Sequence, residues 1–182
     1  MTFTTVHGNG DFHFVKPVTA KFVKFKILEW HEHISMRCDV FVDGALKDFP
    51  ESSRTYSSVY GHDAARIQAH SRSSLNSPQA WSAETNDLNQ WVQMDLMTPC
   101  HVTGIVVKKR VDSDQYVKKF RIQYSLDAEE WFDMQEQREK ELRVGPVLLV
   151  LSLHDMVVPS VVPLLVHLLT HATFVTWGKK AL

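Results

Sequence analysis

The sequence has little cysteine: only Cys38 and Cys100 in 182 residues. One disulfide is the most they can make, and they spell neither a zinc cluster nor a redox Cys-x-x-Cys. A hydrophobic core must therefore hold the fold. Net charge is nearly absent as well, with 20 Lys+Arg against 21 Asp+Glu giving −1 at pH 7. Attraction of the whole molecule to polyanions needs a basic excess that is missing, so nucleic acid is not an expected partner. Met1–Lys16 has no apolar run of signal-peptide length and contains Asp11, so no secretory address is expected in this chain. Asn-x-Ser/Thr is missing too, since the serine of Asn76-Ser77-Pro78 comes one position early. What is present is apolar and aromatic. Five Trp, ten Phe and 44% hydrophobic residues exclude disorder and supply one packed core.

Period-two patterning dominates. VTAKFVKFKIL sets Val23, Phe25 and Ile27 on one side and Lys24 and Lys26 on the other. ISMRCDVFV alternates again through Ile34, Met36, Cys38, Val40 and Val42. Each run predicts a strand with one buried face. Glu29-Trp30-His31-Glu32-His33 between them reads as a polar turn, which makes the pair a hairpin. GALKDFPESSRTYSS (44–58) has little periodicity and reads as a connector. Further strands follow. WVQMDL points Val92, Met94 and Leu96 inward, HVTGIVVKK is apolar and β-branched, and KKFRIQYS puts Phe120, Ile122 and Tyr124 on one face. Turn signals separate them, and almost no helical period is present. The pattern predicts an all-β, antiparallel sandwich or barrel.

After Glu129 the character changes. EEWFDMQEQREKELR fits either a short amphipathic helix or a ragged strand with a charged loop. The stretch 144–177 is apolar and long enough to span a membrane. Against that, an Asp at mid-span such as Asp155 costs about 2.5–3.5 kcal/mol, and Pro159 and Pro163 break the helix.

Few residues invite chemistry. His31 and His33 share a face of an extended strand, but no third or fourth metal ligand is visible, so a hydrogen-bonded turn is the expectation. Serines lie in turns without a Gly-x-Ser-x-Gly elbow or an adjacent base. Asp112 and Asp114 have the spacing that opens a calcium loop but lack its Gly and distal Glu, so a solvated turn is expected. No catalysis, cofactor or metal is expected. Tyr60-Gly61-His62-Asp63, Trp81 and Arg110–Tyr116 fall in connections, where a rigid sandwich places recognition. Trp91, beside an alternating strand, reads as a core aromatic.

Specific strings now bear on family. LNSPQAWSAETNDLNQWVQMDL, PCHVTGIVVKKR and QYVKKFRIQYSLDAEEW carry Trp-Ser-Ala, Asn-Asp, Gln-Trp-x-Gln-x-Asp-Leu, Val-Thr-Gly-Ile and Tyr-Ser-x-Asp in order. Over residues 57 to about 131 this resembles the discoidin, or coagulation-factor C-type, domain. PVTAKFVKFKILEWHEHISMR resembles the end of such a domain. The resemblance divides the chain into closing strands of one copy (1–45), the opening two-thirds of a second (46–143) and an apolar tail outside the family pattern (144–182). It implies a jelly-roll-like β-sandwich completed in circularly permuted order, with residues 14–43 and 52–135 forming one pseudo-domain. The family commonly ties its ends with a disulfide. Neither cysteine matches those positions, so Cys38 is expected as a buried free thiol, and a Cys38–Cys100 bridge stays open.

By the same resemblance, the chain is a non-catalytic extracellular or cell-surface binding module, recognising a glycan or a cell-surface protein through loops at one end. The alternatives are an anionic phospholipid headgroup as ligand, or a role as the substrate-targeting accessory domain of a larger enzyme. The loops implied are those of Tyr60, His62, Asp63 and Arg66, of Trp81 and Asn86, and of Arg110, Asp112, Asp114 and Tyr116. Trp30, His31 and His33 form a fourth wall.

Overall fold

The computed structural model describes residues 1–134; the predicted apolar tail lies outside them. Nine strands run in order: β1 (Phe3–Thr4), β2 (Gly10–His31), β3 (Ser35–Val42), β4 (Ala45–Leu46), β5 (Arg54–Tyr56), β6 (Trp81–Ser82), β7 (Trp91–Lys108), β8 (Tyr116–Ser125) and β9 (Phe132–Asp133). One helix, α1 (Ala64–His70), interrupts them. All pairings are antiparallel, and the central order is β1-β8-β2-β7-β3-β4.

This sheet is folded into two layers, and β2 shows why. Phe120 of β8 is registered opposite Ile27, yet its ring lies 5.8 Å from that of Phe12. Fifteen positions of extended strand span about 50 Å. The contact exists only because β2 bends back over itself. The bend falls where β2–β7 pairing jumps from Ala20↔Cys100 to Phe22↔Asp95, leaving four residues of β7 against one of β2. Met97 there adopts φ +68°, with its N–H donating to Asp95 Oδ1 at 2.7 Å. Bulges of this kind turn strands from one layer of a sandwich into the other. The front layer holds β5, the first part of β7, the second part of β2, and β8. The back layer holds the first part of β2, the second part of β7, and β3.

Residues 14–43 are thus not separated from the second segment. β2 pairs with β7 and β8, and β3 pairs with β7. The alternating positions read from the sequence face the interior: Val23, Phe25, Ile27, Ile34, Met36, Cys38, Val40, Val92, Met94, Phe120 and Ile122 form one core cluster.

Four expectations are corrected. β2 and β3 are not a hairpin, because both edges of the second half of β2 are occupied by β7 and β8. The 32–34 turn instead crosses between layers, and β2 itself continues through Glu29-Trp30 to His31. The connector 44–58 contains β5, paired through Arg54↔Met94 and Tyr56↔Val92. α1 lies where only a loop was expected. The two indoles exchange roles: Trp81 is fully buried and donates Nε1–H to Ser58 O at 2.8 Å, whereas Trp91 sits on the outer face of the front layer beneath Lys24. Alternation with inward Val92 already places Trp91 outside.

Both cysteines are free, Cys38 buried and Cys100 partly exposed. Burial pushes the Cys38 thiol up to about 12. A thiol-specific disulfide reagent is therefore expected to titrate one thiol in the native protein and two after unfolding in urea. A native count of two would place Cys38 at the surface.

Candidate functional site

One end of the sandwich gathers the turn 6–9, the 32–34 crossing, the segments 57–63 and 81–86, and the loop 109–115. Antiparallel registers place them together: His31 opposes Tyr116, Gly10 opposes Val107, Arg37 opposes Lys108, and Ser35 opposes Ser82.

At the centre stands Tyr60, 41% exposed. Its N–H is held by Ser82 O at 2.9 Å. Two imidazoles meet its ring edge-to-face, His33 at 5.7 Å and His70 at 5.2 Å. His33 is oriented by a 2.8 Å hydrogen bond between Nε2 and Ala83 O. His70 closes α1, whose start is set by Asp63: the carboxylate accepts the N–H of Arg66 at 2.9 Å. Gly61, at φ +136°, precedes the cap, and a Cβ there would lie 2.7 Å from the Arg66 Cβ. Only glycine fits that approach. Asp63 also faces the Arg66 guanidinium at 3.7 Å, so both residues are exposed but mutually engaged, and His62 is exposed beside them.

Arg110 forms the far wall. Its guanidinium chelates Asp112 (Nε–Oδ1 2.5 Å, Nη2–Oδ2 3.1 Å) and reaches Ser82 Oγ at 3.2 Å. That chelation holds the Asp112 carboxyl below its ordinary range. Gln79 donates Nε2–H to Asp112 Oδ2 at 3.4 Å. Burial, then the neighbouring Arg110, holds the imidazole of His70 below its ordinary range, so it is neutral at physiological pH. His70 Nδ1, Gln79 Oε1 and Ser113 Oγ are buried without hydrogen-bond partners. The result is a near-neutral surface cluster with one exposed phenol, two imidazoles and a fixed guanidinium.

The other predicted residues separate from it. Asn86 is a staple, its Oδ1 accepting from Ile34 N at 2.9 Å and its Nδ2 donating to Glu32 O at 3.3 Å. Asp114 belongs to a neighbouring group: Lys109 Nζ lies at 3.1 Å and His31 Nε2 at 3.5 Å, and Lys109 foremost holds the carboxyl below its ordinary range. His31 also packs on Tyr116, ring to ring at 4.8 Å. Two predicted contact residues are corrected as buried. Trp81 is core, and stacks on Tyr56 at 5.7 Å. Tyr116 is 8% exposed, because Gly8 crosses against its Cβ. Trp30 is half-buried, packed against the core. The sequence reading missed His70 and Gln79. The signal for His70 was Asp63 followed by the helix-forming run Ala64-Ala65-Arg66-Ile67-Gln68-Ala69, a cap and a first turn. Gln79 gives no local signal.

His31 and His33 do not converge on a common point, and among the described residues no three His, Cys, Asp or Glu side chains group as metal ligands. Among those residues, too, no helix is long and apolar enough to cross a membrane.

Comparison with known proteins gives a consistent pattern. The F5/8 type C domain profile matches residues 50–154. Neuropilin-2 of Homo sapiens is 27% identical over 151 residues, covering 69% of this chain and 16% of that protein. Coagulation factor V of Sus scrofa is 27% identical over 154 residues, covering 74% of this chain and 6% of that protein. EGF-like repeat and discoidin I-like domain-containing protein 3 of Mus musculus is 36% identical over 67 residues, covering 36% of this chain and 14% of that protein. The chain thus spans no more than about a sixth of the length of these relatives. No solved structure matches it.

Proposed function

The chain belongs to the F5/8 type C domain family, and from that premise we propose that it is a non-catalytic extracellular binding module that takes a glycan of a cell-surface partner at the Tyr60 cluster. The observation that carries this reading is Tyr60 itself: a large aromatic side chain exposed among directional hydrogen-bonding groups at the loop end of a rigid sandwich. A sugar ring presents apolar C–H faces to an aromatic ring and hydroxyls to neighbouring donors and acceptors. The imidazole edges of His33 and His70 offer ring nitrogens beside the phenol, and Arg110, fixed by Asp112, supplies a donor that needs little ordering on binding. A membrane headgroup is supported less well, since the cluster is near-neutral and Tyr60 is its one exposed aromatic among the described residues.

Tyr60→Ala is expected to lower affinity for the strongest hit on a glycan array by at least tenfold while leaving the thermal midpoint within 2 °C or so, as an exposed truncation should. Binding retained in that variant would reject the Tyr60 cluster as the site. Tyr116→Ala is no substitute, because Tyr116 is buried and its loss would lower stability and binding together.

A further inference from the structure

We propose that the outer face of the front layer is a second binding site, for a sulfated polysaccharide chain lying across the strands. The register aligns Trp91, Lys26 and Arg121 in one row over β7, β2 and β8, and Gln93, Lys24 and Gln123 in the next. Lys26 and Arg121 are directly opposed like charges about 5 Å apart, the strand spacing, an arrangement that destabilises a sheet. Ordinary surfaces relieve such pairs with acids. Here, among the described residues, no carboxylate lies within ion-pair distance of Lys24 or Lys26, and Arg121 has only Asp133, at 4.0 Å. Lys119, at the same edge, is matched instead by Glu29 at 3.2 Å. Lys24 and Lys26 are thus locally uncompensated, with Asp133 at the far edge beside Arg121, in a chain whose net charge is −1.

Lys24 is held in place. Its ammonium lies 3.6 Å from the Trp131 ring centroid and 5.0 Å from that of Trp91. Burial, then repulsion from Lys26, holds this ammonium below its ordinary range, and an arriving anion would relieve that repulsion. Cations in line at strand spacing match a chain of closely spaced sulfates, and the amides of Gln93 and Gln123 suit the hydroxyls between them. The face lacks a free apolar spike for a bilayer, because Phe22 and Trp91, like Trp131, each lie beneath a lysine.

The test uses the full chain and a fully sulfated heparin decasaccharide, with its desulfated, N-acetylated counterpart as control. The tryptophans flanking Lys24 allow binding to be followed by fluorescence. The sulfated probe is expected to bind, more weakly as salt rises, and the desulfated one not. Lys26→Gln with Arg121→Gln should weaken binding at least tenfold and raise the thermal midpoint, since the opposed charges are gone. Lys47→Gln with Lys108→Gln, changing exposed lysines elsewhere, should leave affinity unchanged. Equal affinity for both probes, or an unaltered affinity in the Lys26/Arg121 variant, overturns the assignment. So does binding to phosphatidylserine vesicles with none to the decasaccharide, which would make the face a membrane contact. Tyr60→Ala should not change decasaccharide affinity, so this outcome is separable from that of the Tyr60 cluster.

Discussion

Replacing Arg54 by methionine is expected to destabilise the protein by roughly 3–5 kcal/mol, the range for removing one partner of a buried ion pair. Arg54 and Asp39 face each other at 2.8 Å, and both side chains are fully buried. The guanidinium also donates to Cys38 O at 2.6 Å, Phe49 O at 3.0 Å and Ser73 Oγ at 3.2 Å, tying β5 of the front layer to β3 of the back layer. Methionine keeps the volume and removes the charge, leaving a carboxylate in the core with nothing opposite it. Burial already pushes the Asp39 carboxyl up to about 6 against the pull of Arg54, while the unfolded chain titrates near 3.8. Between those values the folded state holds more protons, so this group's contribution falls as pH rises from about 4 to about 6. Without Arg54 the folded value climbs further, and the window extends upward past neutrality. The variant's deficit should therefore be larger at pH 8 than at pH 5, measured by urea denaturation at both. A deficit independent of pH would mean that lost hydrogen bonds, not the stranded carboxylate, dominate. Asp39→Leu added to Arg54→Met should recover the electrostatic share and not the bonds to Cys38 and Phe49.

Arg54 also marks where sequence reasoning stopped. In the connector it reads as one more polar residue between serines, because nothing local says that its strand pairs with residues 92–94 thirty-eight positions later. What was legible is what period two carries: which side chains of 18–42, 92–96 and 117–124 face inward. Strand adjacency is not carried by that period. The short 32–34 turn invites a hairpin, and only the prior claim of β7 and β8 on both edges of β2 excludes it. The Tyr60 cluster was half legible for the same reason. Tyr60, His33 and Arg110 stood out as polar or aromatic residues in connections. His70 needed a helix of 7 residues to be recognised, and Trp81 needed the knowledge that its loop folds inward.

The largest expected effect comes from dividing the chain. We propose that residues 1–46 act as the closing strands of the sandwich, supplied from the N-terminal side. If so, residues 47–182 alone should lack a cooperative unfolding transition. Val23, Phe25, Ile27, Ile34, Met36, Cys38 and Val40 all come from the N-terminal segment and are no more than 1% exposed. At about 1.5–3 kcal/mol for each of the six large apolar side chains, their removal forfeits on the order of 10 kcal/mol, comparable to the whole stability of a domain at about 5–15 kcal/mol. The remaining segment would also expose unpaired edges of β7 and β8 along the full length of β2, an invitation to aggregate. Mixing it with a peptide of residues 1–46 should restore near-ultraviolet circular dichroism and a sigmoidal urea transition, because the two pieces are joined only by a connector. A sharp transition in residues 47–182 by themselves would show that the second segment builds its own core, and that the N-terminal strands are an addition to a finished fold.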